Sequence, residues 1–464
     1  MKAKSKKQKA KVSARFEKIP EGDRFNSRGH RPRKAILLEA SDPERVEPSA
    51  ARGSSASAML RVICFLLFVF CLLPLAFAHE PITTKVRFNK EVVRVFERNC
   101  LGCHRPGGVA MSLATYEEAR PWAKAIKEEM LEKRMPPWHA VKGYGEFRNA
   151  PLITQREIDM IVNWVEGGAP KGEDKDLPTE PLYSDDWPLG KPDLILKPES
   201  VSKITADADE HRATQLVTNL KEDRWITAID LRPGSRAVVR SATFYLSKDE
   251  PMMSDGKIQT LDSSLVLGTW MPGQRTVTLP EGVGRLLPAG SRIVVKIYYR
   301  GAGEEAEDKS EVGIYFAKTP PRKMVQEVAV TSPDAIIPAS AQFHQIKAVF
   351  TALDDVEAVM IRPCVNPLIV SFQATAYRPD GSEEVMIWTR GYGFGWQPAY
   401  YFKRAVALPK GTRVEVIAYF DNSDGNRNNP NDPPKQLRWA DITSDPLCSL
   451  SLAKPRGVND SDQR

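Results

Sequence analysis

Cys100-Leu101-Gly102-Cys103-His104 is the stretch of this chain whose residue types and spacing could do chemistry. C-x-x-C-H is the pattern of covalent c-type haem attachment. Two thiols three positions apart can each form a thioether with one vinyl group of a single haem. The imidazole directly after the second thiol then lies under the iron as proximal ligand. The other chemistries of a C-x-x-C pair are a thioredoxin-like redox centre and zinc. Zinc needs four ligands, and no second C-x-x-C or H-x-x-x-H is present to supply them.

The elements around the motif fit a small helical unit. Val86, Val92, Val93 and Phe96 mark one helix face within residues 84–98, leading into Cys100. Arg105-Pro106-Gly107-Gly108 is a turn. Thr115-Tyr116-Glu117-Glu118 is a capping box that predicts a helix through Trp122, Ile126, Met130 and Leu131, ending at Met135-Pro136-Pro137-Trp138. Thr154-Gln155-Arg156-Glu157 is a second capping box, followed by Ile158, Ile161, Val162 and Val165 at helical spacing and stopped by Gly167-Gly168. A haem in this unit needs a second axial ligand. Met135 is the favoured residue, because two prolines fix the backbone beside it and it lies late in the domain; a thioether ligand there would raise the reduction potential. Met111, Met130, Met160 and His139 compete for the role.

Charge and composition bound the remainder. The formal net charge is +7 over 464 residues. Residues 1–58 carry fifteen Lys and Arg against seven Asp and Glu, so they hold a net +8 and the rest of the chain −1. The basic character therefore belongs to an N-terminal extension of disordered composition, and it gives no reason to expect nucleic-acid binding. Met59-Leu60-Arg61, an apolar run and Ala76-Phe77-Ala78 form the n-region, h-region and cleavage site of a signal peptide over 59–78, with His79 as the mature terminus. Met59 is on this reading a second candidate for the true start; the rival reading makes 59–78 an uncleaved membrane anchor. Both export the chain to the periplasm or cell envelope, the compartment in which thioether attachment is completed in bacteria. A histidine at a mature N-terminus can chelate copper, but no partner histidine accompanies His79.

Residues 79–172 are thus predicted to be the haem domain and 173–191, rich in Glu, Asp, Lys and Pro, a linker. Beyond it the pattern changes to alternating strands such as Ala237–Leu246, Arg292–Tyr299, Val356–Arg362, Leu368–Tyr377 and Arg413–Phe420. A break at Thr319-Pro320-Pro321 divides these into β-sandwiches over 192–321 and 322–455, with a tail at 456–464. The fold class expected is multidomain: a small all-α domain followed by an all-β pair of sandwiches.

CLGCHRPG, MSLATYEEARPWAKAI, RMPPWHA and ITQREIDMIVNWVEGGAPKG resemble a bacterial cytochrome c domain over residues 90–172. GKPDLIL, LRPGSRAVV, LPAGSRIVVKIYY, FGWQPAYYF and LPKGTRVEVIAYFDNS resemble, over about 188–450, the copper type II ascorbate-dependent monooxygenases to which such domains are often fused. The resemblance implies Met135 as distal ligand and two jelly-roll-like sandwiches with two coppers in the cleft between them. The ligands are missing. Where the family has the histidines of its first copper, this chain has Arg240-Ser241 and Tyr298-Tyr299. Where it has those of its second, Pro363-Cys364-Val365-Asn366 appears, with Leu447 or Cys448 in place of the methionine. Residues 188–464 contain only His211 and His344, at neither position, and Arg240 brings a cation to where a cation would bind.

The resemblance therefore implies an exported one-haem electron-transfer protein whose β module is copper-free and serves for docking or ligand binding. The alternatives are a haem-coupled copper monooxygenase, and a haem sensor or peroxidase with an open sixth site. Cys364 and Cys448 fall, by the same resemblance, at two ligand positions of one lost metal, and are candidates for a disulfide in an oxidising compartment or for a thiolate copper site. The sequence names neither the redox partner nor the oligomeric state.

Overall fold

Alternation of apolar and polar residues builds most of this molecule; the helices of the described residues lie mainly in its N-terminal part, with one further short helix at Trp439–Ile442. The computed structural model describes residues 83–179, 183–247, 253–254, 257–258, 266–363, 366–391, 398–442 and 446–456. The segment 59–78, His79, Cys364 and the end of the tail lie outside the described residues. Among the described residues no helix is long and apolar enough to cross a membrane.

One wide turn at Phe88–Val92 runs into helix α1, Val93–Asn99, which buries Val93, Val95 and Phe96. Thr115 and Glu118 close a complete capping box on α2, Tyr116–Ala119. The continuous helix expected from there is interrupted. Pro121 sits in a tight turn at Arg120–Trp122, and α3 spans only Ala123–Leu131. Lys133 then takes a φ of +58°, which no helix continues. Trp122 and Leu131, expected on the buried face, are exposed. Helix α4, Gln155–Glu166, carries the second complete capping box, from Thr154 and Glu157. Phe88, Phe96 and Trp164 meet at 5.9–6.4 Å between ring centres in the middle of this helical core. The buried Trp164 indole donates to the Pro170 carbonyl at 3.0 Å, so its polar edge is satisfied.

The strands form two sandwiches that share a sheet. One outer sheet has the order Asp209–Val217, Arg292–Arg300, Val239–Ser247, Val266–Trp270. The other has the order His344–Thr351, Arg413–Phe420, Ile369–Tyr377, Glu383–Arg390. An eight-stranded sheet backs both: Leu194–Leu196, Glu311–Phe316, Arg224–Arg232, Val283–Leu287, Lys323–Val330, Cys448–Pro455, Val356–Pro363, Tyr400–Leu408. Its pairings are antiparallel except at the join, where Lys323 and Met324 lie parallel to Val283 and Gly284. The period-2 rule is plain in Arg413–Phe420, which buries Val414, Val416, Ala418 and Phe420 completely. Each sandwich has its own apolar core, and Phe147, from the segment between α3 and α4, belongs to the second.

Candidate functional site

The C-x-x-C-H residues sit in a turn that α1 cannot avoid making. Cys100 and Leu101 both donate to the Phe96 carbonyl, at 2.7 and 2.9 Å, and Cys103 and His104 both donate to that of Cys100, at 3.1 and 2.9 Å. Leu101 is fully buried in the helical core and pins the turn, leaving Cys100, Cys103 and His104 half-buried. The turn thus sets Cys100, Cys103 and His104 within one hydrogen-bonded stretch of backbone.

The His104 ring is oriented. Its Nδ1 lies 3.0 Å from the Met111 carbonyl oxygen. A carbonyl only accepts, so Nδ1 carries the proton and the Nε2 lone pair is free for a metal. Burial lowers the imidazole pKa, with the Met111 hydrogen bond acting against it. Burial, with Cys103 adding to it, pushes the Cys100 thiol up to about 12. Burial likewise pushes Cys103 to about 11, although Arg105 and Arg240 pull the other way.

Glycines keep space open around the second thiol. Gly273, at φ +73°, faces Cys103, and a Cβ there would lie 2.7 Å from Sγ. A Cβ on Gly102 would lie 2.9 Å from the Gly273 Cα. The turn Met271–Gly273 of the first sandwich therefore lies directly against the motif. Two arginine contacts extend this meeting. Arg105, buried, bonds Asp185 at 2.6 Å, and Arg236 reaches the same carboxylate at 3.0 Å. Arg240 donates to the Val109 carbonyl at 3.4 Å.

Met135 is placed differently. It is 42% exposed, as Met111 is at 44%. The Met135 amide donates to the Glu129 carbonyl at the end of α3. Three residues later Trp138 packs on Tyr400 and Phe147, at 5.1 and 6.0 Å between ring centres.

The residues that the resemblance would put at a first copper site are strand neighbours. Tyr298 is paired with Ser241 on one side and with His211 on the other. The His211 and Tyr298 rings are 4.8 Å apart, and the Tyr298 hydroxyl donates to Asp209 at 2.8 Å. His211 is thus beside this position although six strands lie between the two in sequence. Among the described residues no three His, Cys, Asp or Glu side chains converge as a metal site. At the second position, Asn366 accepts from the Leu368 amide at 2.9 Å and shapes a turn. Cys448 is fully buried and pairs in register with Pro363, the neighbour of Cys364.

No protein-family model and no curated protein matches the chain. Among solved structures, the infectious bursal disease virus Gx strain protein is 12% identical, with a TM-score of 0.18 over 57% of this chain and 73% of that one. PNGF-II is 9% identical, with a TM-score of 0.22 over 56% of this chain and 65% of that one. The PBSX exported protein XepA is 9% identical, with a TM-score of 0.14 over 48% of this chain and 86% of that one. Likeness this weak carries no argument about fold or activity.

Sequence reading found the motif residues but missed Met111 as acceptor and Gly273 as the wall opposite Cys103. Gly273 follows Met271-Pro272, a turn signal that marks where backbone can approach closely but not what it approaches.

Proposed function

We propose that the protein is an exported c-type cytochrome that carries one covalent haem and transfers single electrons, with its β-sandwich module as a docking or ligand-binding body. The observation that carries this is the His104 imidazole, oriented by the Met111 carbonyl with Nε2 free, in the same hydrogen-bonded turn as Cys100 and Cys103. Cys100 and Cys103 would hold the haem covalently, and His104 and Met135 would supply ligands to its iron. The haem, when bound, supplies a one-electron couple. The protein's own part is to orient and to exclude. The Met111 carbonyl fixes the imidazole tautomer and makes the ligand more basic. Gly273 leaves the second thiol room for a thioether, and the first sandwich covers that side of the motif against water.

A haem-coupled copper oxidoreductase is the second reading. One observation favours it: Arg240, at a position that the resemblance gives to the first copper site, donates to the Val109 carbonyl in the loop after the motif. The donor set opposes it, with Arg, Ser and Tyr where copper needs imidazoles.

The test is export-competent expression followed by a denaturing gel stained for haem. The wild type should stain, and Cys100→Ala with Cys103→Ala should abolish the stain. Stain that survives the double substitution rejects the assignment. Copper analysis of the same preparation separates the two readings.

A further inference from the structure

The residues that follow Met135 belong structurally to the second sandwich. The Val141 amide donates to the Trp388 carbonyl at 2.8 Å, and the Arg390 amide donates to that of His139 at 3.1 Å, tying the segment to the edge of one sheet. Lys403 donates to Glu146 at 2.7 Å and Arg148 to Tyr401 at 2.8 Å, tying it to the edge of the other. The Asn149 side chain clamps the backbone at Ala399 and Tyr401, donating at 2.7 Å and accepting at 3.1 Å. Residues 139–149 are therefore a strap across the open side of the sandwich, with Trp138 and Phe147 sunk beside Tyr400.

Only Pro136 and Pro137 separate Met135 from this anchor. Proline fixes φ, so a displacement of Trp138 passes to Met135 with little slack. On the other side Met135 is held by backbone bonds to the frayed end of α3, where Lys133 has already left helical geometry.

We propose that Trp138 is a positioning residue through which the second β-sandwich sets the sixth ligand of the haem iron. The inference rests on the reading of Met135 as distal ligand. The sandwich then has a function toward the haem that needs no copper: it keeps the thioether in place. Anything that loosens the Trp138 anchor opens the sixth position to external ligands.

The test uses the full-length haem-loaded protein. Trp138→Ala should keep covalent haem while it loses the Met–iron charge-transfer band, lowers the reduction potential and binds imidazole roughly tenfold tighter. Trp138→Phe, which keeps a ring against Tyr400, should restore the band. If Met135→Ala removes the band and Trp138→Ala leaves both band and imidazole affinity unchanged, the inference is overturned and the ligand assignment stands. If Met135→Ala itself changes nothing, the ligand assignment fails first. Should Trp138→Ala not fold, urea titration of the wild type decides. The band should vanish with loss of hydrogen-exchange protection in strands Glu383–Arg390 and Tyr400–Leu408. A band that outlasts those strands overturns the proposal.

Discussion

The helical unit meets the two sandwiches through contacts of opposite character. Against the first sandwich it presents the C-x-x-C-H turn, and the contact is made of glycine backbone and guanidinium–carboxylate pairs. Against the second it sends out the strap after Met135, and the contact is made of buried aromatic rings and strand-like hydrogen bonds. Apolar burial is strong and indifferent to salt, whereas exposed ion pairs are weak and screened. The molecule therefore holds the C-x-x-C-H turn by shape and charge, and the segment after Met135 by part of the sandwich core.

The apolar contact should break at the greatest cost. Phe147 is 9% exposed and its ring lies 5.2 Å from that of Tyr400 and 5.4 Å from that of Phe402. Phe147→Ala leaves a cavity in the second sandwich, for which about 3–5 kcal/mol is the usual loss. Urea unfolding should show that loss in the second sandwich. A loss confined to the helical unit would mean that the strap is not part of the sandwich core.

On the other side the sharpest probe is Gly273. Alanine there adds a methyl 2.7 Å from the Cys103 sulfur, on a backbone whose φ of +73° disfavours any side chain. The two effects together should cost about 1–3 kcal/mol. They should also lower the fraction of chains that stain for haem, because the space lost is next to the second thiol. Gly290→Ala is the control: it has a similar positive φ and nothing nearby for a Cβ to strike. Equal haem incorporation in the two variants would deny Gly273 any role at the site.

This difference also explains what could be read from the sequence. The capping boxes at Thr115 and Thr154 are local, each complete within four residues, and they are found as expected. Strand Arg413–Phe420 announces itself because burial alternates with its residues. The Cys100–His104 turn is also local, so the motif's geometry follows from its spacing. The shared sheet is not local. It depends on a parallel pairing of only two residue pairs, Lys323 with Val283 and Met324 with Gly284, across a proline-rich break that reads as a boundary. Nor could the strap be foreseen. Trp138 reads as the end of a helix, and nothing in WHAVKGYGEF names Tyr400, over 250 residues away, as its neighbour. The motif's turn is thus legible in sequence, while the walls around it are set by tertiary pairing.

The smallest effect expected is also the one most specific to the ionic contact. Asp185 is 76% exposed but accepts from Arg105, whose side chain is 5% exposed, and from Arg236. Burial acts to raise its carboxyl pKa, but the guanidinium groups of Arg105 and Arg236 outweigh it and hold the pKa below the ordinary value. A depressed folded-state pKa gives stability that is present above the unfolded value, near pH 4, and is lost as pH falls through the folded value. Asp185→Asn should therefore destabilise the protein at neutral pH by under about 1 kcal/mol, since an exposed partner is well screened. The gap between wild type and variant should close as the pH drops below 4, and should narrow in high salt at neutral pH. Phe147→Ala should show neither response, because no charge is lost there. A gap between Asp185→Asn and wild type that persists at low pH, or that ignores salt, would show that the first contact is held by packing and not by charge. The contrast between the two faces of the helical unit would then collapse to one of magnitude.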